Sequence, residues 1–127
     1  MVTKRVLVVD DEESIRDLCA RVLTRAGFAV VTASNGEDAL RNLGADLFDL
    51  IISDIRMPGM SGLEVLQAAK TSFPGIRVVL ITGFGTAETV ARARQSGADR
   101  VLTKPFNPME LLAVVREILP NPNGPHP

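Results

Sequence analysis

The chain has 127 residues, 46% of them hydrophobic and 23% charged, with 14 basic against 15 acidic side chains and a net charge of -1. That length fits one domain that can bury enough apolar surface to offset the entropy of ordering, which excludes a disordered chain. Without a basic excess a sequence-independent nucleic-acid binder is not expected, and one cysteine and one histidine exclude a disulfide framework, catalytic triads and His-ligated metals.

Arg5-Val6-Leu7-Val8-Val9 is a short apolar run that reads as a buried strand, ending abruptly on Asp10-Asp11-Glu12-Glu13. Helical spacing of Leu18, Cys19, Val22, Leu23 and Ala26 follows, with Gly27 as the stop. A second strand is predicted over 28–33, and Asn35-Gly36-Glu37 turns into a helix that ends near Gly44. The third strand, Phe48 to Ser53, again delivers an acid, Asp54. Met57-Pro58-Gly59-Met60-Ser61-Gly62 reads as a loop, and a helix then runs to Lys70. The fourth strand is Arg77 to Thr82, followed by Gly83-Phe84-Gly85 and a helix over 86–96. The fifth, Asp99 to Thr103, leads through Lys104-Pro105-Phe106 to a helix over 109–119, for which Asn107 is the natural N-cap and Pro108 a first-turn residue. Residues 120–127 have no sizeable apolar side chain and read as a Pro-rich flexible tail or a truncated linker.

Five strand–helix units in strict alternation, with strands lacking period-two polarity, predict an α/β fold. Its form is a doubly wound five-stranded parallel sheet in three layers, (βα)5 and flavodoxin-like, over residues 1–119. Ligands bind such sheets outside the carboxyl ends of the strands. Those ends carry Asp10 and Asp11, Asp54, Thr82 and Lys104. Taken singly, an Asp-Asp pair before a helix reads as an N-cap, and a lone lysine as a solvated one. Their joint placement at one edge is what points to chemistry. Three converging carboxylates repel, and one lysine cannot neutralise them, so either one is protonated or a divalent cation sits among them. Oxygen donors alone suit Mg2+, with Mn2+ the alternative. A carboxylate beside such an ion, a lysine and a hydroxyl is a phosphoryl-transfer set. Gly83-Phe84-Gly85 falls short of a dinucleotide fingerprint, because Glu88 stands where the third glycine belongs.

The segments Val8-Val9-Asp10-Asp11-Glu12, Ser53-Asp54-Ile55-Arg56-Met57-Pro58-Gly59, Leu80-Ile81-Thr82-Gly83 and Thr103-Lys104-Pro105-Phe106 resemble those of a bacterial two-component response-regulator receiver domain, CheY-like, from about Arg5 to Leu119. The resemblance implies that Asp54 is the phosphoacceptor, loaded from the phosphohistidine of a sensor histidine kinase or a phosphotransfer protein. It implies that Asp11, Asp54 and the backbone carbonyl of Arg56 ligate Mg2+, with Asp10 acting through water. Lys104 would pair with the acyl phosphate, Pro105 would follow a cis peptide bond, and Thr82 would be the switch hydroxyl. The family's switch aromatic falls at Val101, and the pair Asp99-Arg100 with Val114 departs from the pattern of one dimer type, so a monomer or weak dimer is expected. Output is expected through protein contact with residues 86–119. Neither direct nucleic-acid contact nor a membrane is expected, and with no signal peptide the expected location is cytoplasmic. The domain would catalyse its own modification without being a turnover enzyme. A phosphatase of the haloacid dehalogenase type needs a carboxylate two residues after the nucleophile, where this chain has Arg56.

Overall fold

The structure, a computed structural model, describes residues 3–83 and 85–119. Phe84 and the segment 120–127, read above as a tail or linker, lie outside the described residues. Ten elements alternate along the chain: β1 Arg5–Val9, α1 Glu13–Arg25, β2 Ala29–Ala33, α2 Gly36–Ala45, β3 Leu50–Asp54, α3 Gly62–Ser72, β4 Arg77–Thr82, α4 Ala87–Gln95, β5 Arg100–Thr103 and α5 Pro108–Ile118. All five strands are parallel in the order β2-β1-β3-β4-β5. This is the expected flavodoxin-like sheet.

The uninterrupted apolar strands are explained by what lies on each face. Leu7, Val9, Ile51, Val78 and Leu80 point to one side, where they meet Ala39 and Leu43 of α2, Val65, Leu66 and Ala69 of α3, and Ala93 of α4. Val6, Val8, Leu50, Ile52, Val79 and Ile81 point to the other, against Cys19 and Leu23 of α1 and Leu111, Val114 and Val115 of α5. Alternate residues thus serve two cores, so a polar side chain within these strands is buried and needs a partner, as the Ser53 hydroxyl has in the Asp54 carbonyl.

Local signals set the helix ends. Ser61 and Asn107 form capping boxes with Glu64 and Glu110, and Pro108 occupies the first turn of α5. Gly27 and Gly97 follow α1 and α4 with φ of 99° and 108°, the left-handed conformation that favours glycine. At α1 the N-cap position is held by Glu12, which makes no side-chain capping bond; Asp10 and Asp11 precede it, in keeping with the choice of the joint placement over the N-cap reading. Strand order reverses direction about β1 and β3, which places the crevice between the ends of those two strands.

Candidate functional site

Asp10 follows the last residue of β1, and its backbone N–H still bonds to the Ala33 carbonyl at 3.2 Å, so the sheet holds its start in place. Its side chain is fully buried. Oδ1 accepts from the Glu12 backbone N–H at 2.9 Å, and the Asp10 carbonyl accepts from Arg16 Nη1 at 2.8 Å. Oδ2 has no hydrogen-bond partner among the described residues and faces Lys104 Nζ at 3.4 Å.

Asp54 is the last residue of β3, the strand between β1 and β4, and is 6% exposed. Its Oδ1 accepts from the Arg56 backbone N–H at 3.1 Å and its Oδ2 from Lys104 Nζ at 2.9 Å. The turn that follows is anchored by Ile55 N–H to Ile81 O and by Gly62 N–H to Ile55 O. Glycine is required at the second anchor, because a Cβ at position 62 would stand 2.1 Å from the Asp54 carbonyl oxygen.

Thr82 ends β4 and pairs in register with Thr103 of β5, and the Thr82 carbonyl accepts from the Lys104 backbone N–H at 2.8 Å. Thr82 is buried at the floor of a cavity of about 310 Å³ lined also by Ile55, Arg56, Leu63, Thr89 and Arg92. The β4–α4 loop lies close on β5: a Cβ at Gly85 would come within 2.7 Å of Thr103 Oγ1. Lys104 is followed by a cis peptide bond to Pro105, which is exposed. Val101 is half-buried and packs on the α2–α3–α4 side of the sheet.

Lys104 is the centre of charge. Its ammonium lies 2.7 Å from Glu12 Oε1, 2.9 Å from Asp54 Oδ2 and 3.4 Å from Asp10 Oδ2. Burial by itself would lower its pKa, but the bonds to Glu12 and Asp54 and the charges of Asp10 and Asp54 outweigh this and hold it above the ordinary lysine value. Asp10 moves the other way, up to about 6. Desolvation is the main cause, and the Asp54 charge adds to it against the Glu12 backbone bond and the Lys104 charge. The Cys19 thiol, on the buried face of α1, is pushed up to about 12 by desolvation and is inert as a nucleophile.

Asp10, Glu12 and Asp54 each bring one carboxylate oxygen to within 4.8 Å of the others, a group that can hold a metal ion. Asp11 is exposed and does not belong to that group, which contains Glu12 in its place. The donors are all oxygens, and the Asp10 Oδ2 atom is buried with nothing donating to it. Both features fit a hard divalent cation. Sequence reasoning did not pair Glu12 with Lys104, because nothing local announces a bond between residues 92 apart in the chain.

An open parallel sheet carrying two buried carboxylates, a buried hydroxyl and a carboxylate-bound lysine at one edge defines a class of phosphoryl-receiving signalling domains. The chain belongs to the family described as response regulator receiver domain, whose profile matches residues 6–116. It is 40% identical over 119 residues to the alkaline phosphatase synthesis transcriptional regulatory protein PhoP of Bacillus subtilis, covering 91% of this chain and 48% of PhoP. It is 32% identical over 120 residues to sporulation initiation phosphotransferase F of the same organism, covering 94% of this chain and 97% of that one. The chain therefore spans about half of the first relative and nearly all of the second. Among solved structures, chemotaxis protein CheY4 of Vibrio cholerae superposes with a TM-score of 0.88 at 35% identity, covering 93% of this chain and all of that one. Response regulator TrrA of Thermotoga maritima, solved in complex with Mg2+-BeF, gives 0.82 at 38% identity, covering 92% and 100%. The protein is thus a receiver domain of two-component signalling and not a member of a conventional enzyme family. No helix among the described residues is long and apolar enough to cross a membrane.

Proposed function

We propose that Asp54 is the phosphoacceptor, taking a phosphoryl group from the phosphohistidine of a partner kinase or phosphotransfer protein. The observation that carries this reading is the 2.9 Å contact between Asp54 Oδ2 and Lys104 Nζ, at the end of a buried strand, with Asp10 and Thr82 at the ends of its two neighbours. An Asp54 carboxylate oxygen attacks phosphorus, the donor's P–N bond breaks, and the electron pair leaves with the imidazole. Lys104 stays protonated and supplies a fixed positive charge to the transferred oxygens. The Thr82 hydroxyl is the group placed to answer the new charge, and the cavity it floors gives α4 and its loop room to shift.

Asp54 would ligate Mg2+, with Asp10 acting through water, and the resemblance adds to that set the Arg56 carbonyl and Asp11, which is exposed and lies outside the group of Asp10, Glu12 and Asp54. Mn2+ is the closest substitute. Mg2+ would neutralise charge on the transferred group. The complex of TrrA with Mg2+-BeF supports this choice of ion. Residues 1–119 constitute the receiver unit, output passes through protein contacts of residues 86–119, and the location is cytoplasmic. Arg100 pairs with Glu117, and Asp99 accepts from the Val78 backbone N–H at 2.7 Å and from Lys70, so both residues are engaged within the chain. That supports a monomer or weak dimer.

The test is intact mass after incubation with acetyl phosphate and Mg2+, for the wild type and Asp54→Asn. One hydroxylamine-labile phosphoryl adduct in the wild type, absent in the variant and with EDTA, is the expected result. An adduct that survives Asp54→Asn overturns the assignment.

A further inference from the structure

Glu12 holds the N-cap position of α1 with extended backbone, φ -90° and ψ 117°, yet its side chain caps nothing. It accepts instead from Lys104 Nζ at 2.7 Å, the shortest of that ammonium's three carboxylate contacts. The Glu12 side chain is 55% exposed and the Lys104 side chain 19%, so the pair closes the cleft from its solvent side. Helix formation does not call for this contact, and the phosphoacceptor reading does not use it.

We propose that Glu12 is a positioning residue that holds Lys104 in the unphosphorylated state and slows the loading of Asp54. The proposal rests on the reading of Asp54 as phosphoacceptor. An ammonium has three protons to give, and here one is directed to Glu12 and one to Asp54. A phosphoryl group arriving on Asp54 brings further negative charge and oxygens that need the same donor. Lys104 then has to serve those oxygens while Glu12, on its solvent side, still draws on the same ammonium. The Glu12 charge also faces the incoming phosphodonor, and like charges at the mouth of a cleft slow the approach of an anion. Both effects act in the same direction. The competing role, ligation of a metal ion, is open to Glu12 because its carboxylate lies within 4.8 Å of oxygens of Asp10 and Asp54.

The experiment compares loading rates with acetyl phosphate at saturating Mg2+ for the wild type, Glu12→Gln and Glu12→Ala. The Asp54 O–P bond forms as the donor's P–O bond breaks and acetate leaves with the electron pair. Mg2+ affinity is measured separately by NMR titration, and folding by thermal melts. Both variants are expected to load about three- to tenfold faster, as suits the loss of one nearby charge. Their melting temperatures should stay near that of the wild type, and their Mg2+ affinity should fall less than about threefold. Equal or slower loading in variants that fold normally overturns the proposal. A fall in Mg2+ affinity of about tenfold or more also overturns it and makes Glu12 a metal ligand. A wild type that takes up no phosphoryl group removes the Asp54 reading and this proposal together, whereas a wild type that loads beside variants that gain nothing removes only the proposal.

Discussion

A Cβ added at Gly62 would stand 2.1 Å from the carbonyl oxygen of Asp54. The first residue of α3 thus lies directly on the backbone of the residue read as the phosphoacceptor, and the Gly62 N–H bonds to the next carbonyl, that of Ile55. No rotamer change relieves such a contact, because a Cβ is fixed in place by its own backbone and the atom that it meets is main chain.

Gly62→Ala is therefore expected to displace either the start of α3 or the end of β3, with a stability loss of about 2–4 kcal/mol. Loading of Asp54 should fall by more than the loss of folded protein explains, because small misplacements are costly in a reacting site. Thermal melts beside intact-mass loading separate the two effects. A variant that loads normally once corrected for folded fraction would show that the contact does not set the Asp54 position.

The raised pKa of Asp10 makes stability depend on pH. Folding carries this carboxyl from 3.8 to about 6. Between pH 4 and 6 the folded protein keeps a proton that the unfolded chain has released, so stability falls as pH rises through that window. Above it the full cost remains, up to about 3 kcal/mol. Asp10→Asn can keep the bond from the Glu12 N–H and removes the charge. In EDTA it should stabilise the protein by about 2–3 kcal/mol at pH 8 and hardly at all at pH 4. Denaturant titrations at the two pH values decide the matter, and an equal effect at both would sink the argument.

The β4–α4 loop offers a paired test. A Cβ at Gly85 would meet Thr103 Oγ1 at 2.7 Å and Cγ2 at 2.8 Å, but Thr103 Cβ only at 3.3 Å. Gly85→Ala should destabilise by about 1–2 kcal/mol. Thr103→Ala should recover most of that loss, giving a coupling of about 1 kcal/mol in the double-mutant cycle. Strict additivity would mean that the loop moves away at no cost.

The sheet was legible in the sequence because its central strands are buried on both faces, and five apolar runs alternating with helical spacing leave little choice of topology. Asp10, Asp54, Thr82 and Lys104 could be placed at one edge for the same reason, since parallel strands bring all their carboxyl ends together. What could not be read depends on side-chain reach. The bond from Glu12 to Lys104 joins residues on different elements, and neither residue type predicts it. The Arg16 bond to the Asp10 carbonyl and the close approach of Gly85 to Thr103 have the same character: each is a consequence of packing with no local pattern to announce it.

Helix α4 gives the two cores a single buried residue, Ala93, whereas α5 gives Leu111, Val114 and Val115. Native proteins open in cooperative units, and the free energy of each opening follows the apolar contact that it breaks. Among the described residues, α4 is thus the helix with the fewest buried side chains. Its amides can meet solvent through an excursion that leaves the sheet and α5 closed. Receipt of a single charged group supplies only a few kcal/mol, and such an excursion is the kind of rearrangement that a sum of that size can drive.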